Sequence, residues 1–89
     1  MKAFITVIGE DKIGIIQGVS TLLSENKINI MDINQTLLQN YFTMIMLVDL
    51  DKMEVGFKEL NNKIKEEAEK LGVTIKFQRQ DLFTVMHEL

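Results

Sequence analysis

The chain contains no cysteine, which excludes disulfide bonds, thiolate metal ligands and cysteine nucleophiles together. It also lacks proline, and 46% of its 89 residues are hydrophobic, a composition typical of one compact domain of regular secondary structure. No apolar run approaches the ~20 residues that a membrane span needs. Glu10 and Asp11 follow the first apolar residues too early for a signal peptide. We therefore expect one cytoplasmic domain over residues 1–89.

Positive charge is scarce as well. Arg79 is the only arginine, the formal net charge is −3, and the lysines of the second half alternate with glutamates as on a solvated helix face. Because nucleic-acid binding relies on clustered basic side chains, we expect none by this chain alone, and no membrane partner. A domain of this size buries only about 60% of its unfolded surface, so burial against a second copy would stabilise it. We therefore expect a homodimer or a higher homo-oligomer.

The first part of the chain reads as a strand followed by a helix. Residues 2–9 alternate between two apolar sides, as a strand covered on both faces would. Asp11 is then a plausible N-cap, and apolar residues recur at helical spacing as far as Asn26. We expect Asn26 to close this first helix in the left-handed conformation.

A hairpin is predicted next. Residues 28–36 are β-like, but the apolar positions change parity, which indicates a bulge near Met31 and Asp32. A short turn at Gln39-Asn40 leads into residues 41–49, which again alternate.

The last part of the chain predicts a helix, a strand and a short helix. Asp51 and Glu54 have the spacing of a capping box, and Gly72 follows a clean amphipathic stripe. Residues 73–78 then alternate as a strand with one apolar side. Asp81 could cap a short helix over 81–89, an extension to a core of residues 1–80. The stripe comprises Met53, Phe57, Leu60, Ile64, Ala68 and Leu71.

The order βαββαβ with right-handed crossovers predicts an α+β ferredoxin-like sandwich, in which a four-stranded antiparallel sheet carries both long helices on one face. The helix-free face would expose Phe4, Ile8, Ile45 and Leu47, an apolar patch that a soluble monomer should not leave wet. We expect the terminal helix or a partner subunit to cover it.

Several functions of this fold are disfavoured. An acylphosphatase-like enzyme needs an arginine in the loop after the first strand, where this chain has only Lys12 among acidic neighbours. An RNA-recognition motif needs stacked aromatics in a basic setting. A CxxC metal carrier is excluded by the lack of cysteine, and His87, the only histidine, is a poor anchor for a metal site. No nucleophile, base and orienting group converge, so we expect no enzyme, no metal and no cofactor.

Short motifs in order along almost the whole chain resemble the ACT domain family. These are Val7-Ile8-Gly9-x-Asp11-x-x-Gly14-Ile15 and Lys27-Ile28-Asn29-Ile30. Asp32-Ile33-Asn34-Gln35-Thr36 and Tyr41-Phe42-Thr43-Met44 are further similar to small single-domain ACT proteins related to the glycine cleavage system transcriptional repressor. One departure is Ile13, which stands where many ACT loops have proline.

The resemblance implies a regulatory module that joins sheets side by side with a second copy. It implies an amino-acid-like effector bound between the first loop of one copy and the second strand of the other. The ligand-binding residues carried over are Asp11, Ile13, Gly14, Ile15, Asn29, Ile30, Met31 and Asp32.

Structural roles remain open for some of these residues. Asp11 could act as a helix cap, Gly14 could only permit tight packing, Asn29 could pair with backbone across a dimer, and Asp32 could be a solvated edge residue. The alternative function is an interaction module that docks on another protein and binds no metabolite.

Overall fold

The structure is a computed structural model that describes residues 1–10 and 13–80. Its strands form one sheet in the order β2-β3-β1-β4, and every neighbouring pair is antiparallel. The predicted βαββαβ order and ferredoxin-like sandwich are therefore confirmed. The predicted terminal helix over 81–89 lies outside the described residues. The elements are β1 (Lys2–Glu10), α1 (Ile15–Glu25), β2 (Asn29–Leu38), β3 (Tyr41–Asp49), α2 (Phe57–Leu71) and β4 (Thr74–Arg79).

The core lies between the helices and one face of the sheet. Alternate residues of β1 and β3 are buried together with residues of both helices, so both helices cover the same face, as predicted. Phe57 of α2 stacks on Phe77 of β4, with ring centroids 4.5 Å apart, and secures the second helix to the edge strand. The buried apolar residues include Ala3, Ile5, Val7, Met44, Met46, Val48, Ile15, Val19, Leu23, Leu60 and Ile64.

The first helix begins later than the sequence suggested. Its N-cap is Gly14, with φ 94° and ψ −3°, and its first residue is Ile15. The prediction that Asp11 is the N-cap is wrong, and Asp11 itself lies outside the described residues. The left-handed conformation of Gly14, which glycine adopts without steric cost, places the N-cap three residues later than the sequence suggested.

The end of α1 also differs from expectation. Asn26 has φ −101°, and the left-handed residue is Lys27 with φ 59°. The buried Asn26 side chain explains the difference, because its Nδ2 donates to the Leu22 carbonyl at 2.7 Å. Its Oδ1 accepts from Lys63 Nζ at 3.1 Å, which ties the end of α1 to α2. Asn26 thus closes the helix through its side chain, and the chain reverses one residue later.

The predicted capping box at the start of α2 is wrong. The N-cap is Gly56, and α2 has no side-chain cap hydrogen bond. The Asp51 carboxylate instead accepts from the N-terminal ammonium group, and Glu54 pairs with Lys27 at 2.6 Å. Both acidic side chains therefore pair with positively charged groups elsewhere in the same chain and not with the first turn of the helix. The helix ends where predicted, at Gly72 in the left-handed conformation.

The predicted bulge in β2 is confirmed. Ile30 pairs with Val48, but the next paired residue, Asp32, lies opposite Leu47, so Met31 is the extra residue. Paired residues of an antiparallel ladder share a face of the sheet. Ile30 therefore lies on the helix side, whereas the bulge moves Asp32 to the helix-free side.

The helix-free face has the predicted apolar surface. Ile8 and Ile45 are 42% and 38% exposed, and Phe4 and Leu47 on the same face are half-buried. Neither α1 nor α2 is long and apolar enough to cross a membrane.

Candidate functional site

The two predicted halves of the site lie at opposite ends of the sheet. Through β3, Glu10 at the end of β1 aligns with Leu38 at the end of β2. Asn29 aligns in the same way with Lys2. The loop that follows Glu10 is therefore separated from Asn29 by about nine strand residues, roughly 30 Å. One copy of the chain cannot bring both halves to the same ligand.

The described part of the loop half comprises an exposed side chain and the start of α1. Ile13 is fully exposed, whereas Ile15 is only 2% exposed and belongs to the core. Ile15 can therefore contribute only backbone groups to a ligand. A Cβ built on Gly14 would have no neighbour within 4 Å, so the space beside it is open. The first N–H groups of α1 have no intrahelical partners, and within the described residues no side chain caps them.

The strand half borders an open concavity between α1, the start of β2 and the end of β3. Two of the predicted residues, Asn29 and Ile30, line it. Met31 and Asp32 lie beside it at the bulge, where Asp32 Oδ1 accepts from the Ile33 amide at 2.9 Å. The lining residues are Ser20, Ser24, Lys27, Ile28, Asn29, Ile30, Asp49, Asp51 and Lys52.

Sequence reasoning missed several polar residues of this concavity. Ser20 and Ser24 are one helical turn apart on α1 and therefore face the same way, toward the start of β2. That spacing was visible in the sequence, but nothing there indicated which strand lies next to the polar side of the helix. Asp49, the last residue of β3, is placed beside the concavity by its pairing with Asn29, which the sequence did not indicate.

The concavity carries charges of both signs, and neighbours already engage some of them. The N-terminal ammonium beside Asp51 lowers the pKa of that carboxyl through a hydrogen bond and its charge. Glu54 raises the pKa of the Lys27 ammonium in the same two ways. Asp49 Oδ1 accepts from the Asp51 amide at 2.9 Å. The Asn29 amide and the serine hydroxyls add neutral donors and acceptors.

The open edge of the sheet beside these residues carries exposed apolar side chains and almost no charge. Ile33 and Leu37 lie on the helix side of β2, opposite buried residues of β3, yet are 40% and 58% exposed. Asp32 is the only charged residue among the ten of β2. Long, apolar edge strands without lysine or proline are templates for pairing with another strand.

In the part of the chain that the structure describes, no group of three or more acidic, histidine or cysteine side chains could hold a metal ion. The family model for the ACT domain matches residues 2–78. This chain belongs to the ACT domain family. The match extends from β1 through nearly all of β4, so the predicted resemblance to this family is confirmed.

Proteins similar to this chain over nearly all of its length are known. A UPF0237 protein of Clostridium acetobutylicum is 54% identical over 89 residues, with all of both chains covered. An ACT domain protein from Streptococcus pneumoniae has a solved structure with a TM-score of 0.81 and 43% identity, covering 93% of each chain. A candidate glycine cleavage system transcriptional repressor shares the fold, with a TM-score of 0.75 and 20% identity over 89% of this chain and 45% of that one.

Proposed function

We propose that this ACT domain is a non-enzymatic regulatory homodimer that binds an amino acid or a similar small effector at its interface. The observation that carries the proposal is the position of the two half-sites. They lie at opposite ends of the sheet, and the strand on the open edge, β2, is nearly uncharged and exposes several apolar side chains. Two-fold symmetry is the simplest way to bring such halves together.

Pairing of β2 with the partner's β2 would be antiparallel about a two-fold axis. The end of one strand at Asn29 would then lie beside the end of the other at Leu38, which is also the end from which the partner's first loop emerges. Because β1 lies two strands from β2 and the seam half a strand spacing beyond β2, that loop is about 12 Å from the seam.

The faces of the strand restrict the register of this pairing. Residues that lie opposite each other across the seam must be on the same face of the sheet. The two-fold axis therefore passes between a residue and the identical residue of the partner. Ile33 opposite the partner's Ile33, or Asn34 opposite the partner's Asn34, satisfies this condition at the centre of β2. The first of these buries the exposed Ile33 side chains against each other.

The chemistry of the two half-sites suits a zwitterion. The N–H groups at the start of α1, which no described side chain caps, and the positive end of the helix dipole favour a carboxylate. The Asn29 amide can bond an ammonium through its oxygen or a carboxylate through its nitrogen. Ile13 and Ile30 provide apolar surface for a side chain.

The dimer is tested first, by sedimentation equilibrium of the wild-type chain at micromolar concentration. We expect a dimer, and a folded monomer for the variant Ile33→Lys/Leu37→Lys, because both charges would face the seam. Asn62→Lys, which adds positive charge on an exposed residue of α2, is the control and should remain dimeric. A monomeric wild-type chain would contradict the proposal, because the site needs one half from each of two copies.

Effector binding is tested by calorimetric titration of the dimer with the common amino acids. We expect saturable binding of at least one, and roughly tenfold weaker binding in Asn29→Ala, since a lost hydrogen bond costs about 1–1.5 kcal/mol. Asn62→Ala is the matched control. Flat traces for a folded dimer would contradict effector binding and leave the protein-docking module as the better hypothesis.

A further inference from the structure

The helix-free face of the sheet carries one continuous apolar patch. Thr6 of β1 pairs with Ile45, and Ile8 pairs with Thr43, so the exposed isoleucines of the two strands are diagonal neighbours, within reach of each other. Phe4 and its partner Leu47 extend the patch toward the start of β1. Soluble proteins rarely leave contiguous apolar patches exposed unless the patch is an interaction surface.

The chain leaves the sheet next to this patch. Arg79 at the end of β4 pairs with Ala3, so residue 81 follows the sheet at the end where Phe4 lies. β4 is adjacent to β1 and two strands from β3, a lateral distance of about 10 Å. Nine residues span about 13 Å as a helix, so the segment 81–89 is long enough to cross β1 and reach β3.

The sequence of this segment has a single apolar side. At the angular step of about 100° per residue, its five apolar residues fall within an arc of about 160°. Thr84, His87 and Glu88 occupy the opposite side. The apolar residues are Leu82, Phe83, Val85, Met86 and Leu89.

We propose that residues 81–89 form a short amphipathic helix that covers the helix-free face of its own sheet. The charges agree with this placement, because Lys76 of β4 lies on that face opposite Thr6 and the segment carries Asp81 and Glu88. A covered face would leave the edge of β2 as the apolar surface through which copies associate. Face-to-face stacking of two sheets is the competing arrangement.

The lack of cysteine allows a direct test in the full chain. A single thiol is introduced by Ile45→Cys, and its rate of alkylation under native conditions is compared with that of Lys65→Cys on the exposed side of α2. We expect the thiol at position 45 to react at least tenfold more slowly, at all protein concentrations. Adding Leu82→Asp/Met86→Asp should raise its rate to near that of the control, while a cooperative thermal unfolding transition shows that the sheet and the two long helices stay folded.

The other outcomes contradict the proposal. Equal rates at the two positions in the chain with the unchanged segment would show that the face is open. Protection that is lost on dilution and is unaffected by Leu82→Asp/Met86→Asp would assign the face to a second copy.

A second measurement asks whose sheet is covered. The variant Ile45→Cys/His87→Cys is treated with a flexible bismaleimide at high dilution, because His87 lies on the polar side and its replacement leaves the apolar side intact. We expect an intrachain product of monomer mass. A product of dimer mass would place the segment on a partner's sheet and overturn the proposal.

Discussion

Replacing Gly14 with alanine separates the backbone requirement of the first loop from all packing effects. Gly14 has φ 94°, a conformation that side-chain-bearing residues rarely adopt, and a Cβ there would meet no atom within 4 Å. The expected cost therefore comes from backbone strain alone.

The chain supplies a matched control for this substitution. Gly56 is also an N-cap, and a Cβ there would also have no neighbour within 4 Å, but its φ is −71°. Alanine at either position loses the same cap preference and restricts the unfolded chain equally, so these effects cancel between the two variants. The remaining difference is the strain, about 1–2 kcal/mol in the free energy of unfolding.

Urea unfolding followed by circular dichroism measures this difference, at one fixed protein concentration because subunit association would shift the midpoint. We expect Gly14→Ala to be less stable than Gly56→Ala by about 1–2 kcal/mol with an unchanged m-value. The thermal midpoints should differ by about 4–16 °C for a domain of this size. Equal midpoints for the two variants would refute the reasoning. D-alanine at position 14, introduced by chemical synthesis, should recover the lost stability.

Three further predictions concern packing and charge. Gly9→Ala should lower the free energy of unfolding by about 1–3 kcal/mol, because its Cβ would lie 2.8 Å from Val73 Cγ1. The loss should be smaller in a Val73→Ala background, which a double-mutant cycle in urea would measure. The lowered pKa of Asp51 means that its ion pair stabilises the fold at pH values above the pKa of the unfolded chain. The wild-type chain should therefore be more stable than Asp51→Asn near about pH 6, and this difference should be lost as the pH falls below about 4. A difference in the free energy of unfolding that does not change with pH would contradict this. Leu60→Ala should lower the free energy of unfolding by about 2–5 kcal/mol, since Leu60 is fully buried. Lys65→Ala on the exposed side of α2 should change it by less than about 0.5 kcal/mol. Equal effects in urea unfolding would contradict the assigned faces of the helix.

The sequence alone determined the elements and their faces. Hydrophobic alternation at periods of two and about 3.6 depends on local geometry, so it specified four strands, two helices and the buried residues of β3 before any contact was known. The change of parity between Ile30 and Ile33 located the bulge for the same reason. The motif around Gly14 and the one at Asn29 were sufficient to identify the family.

Only the tertiary structure decided the caps and the geometry of the candidate site. Asp51 and Glu54 had the spacing of a cap, but the N-terminal ammonium group and Lys27, distant in sequence, engage them instead. Likewise, no local pattern indicates that Gly14 and Asn29 lie at opposite ends of the sheet, since that separation follows from how the strands pair. Strand pairing is long-range, and for this reason the exposed edge of β2 became visible only in the folded chain.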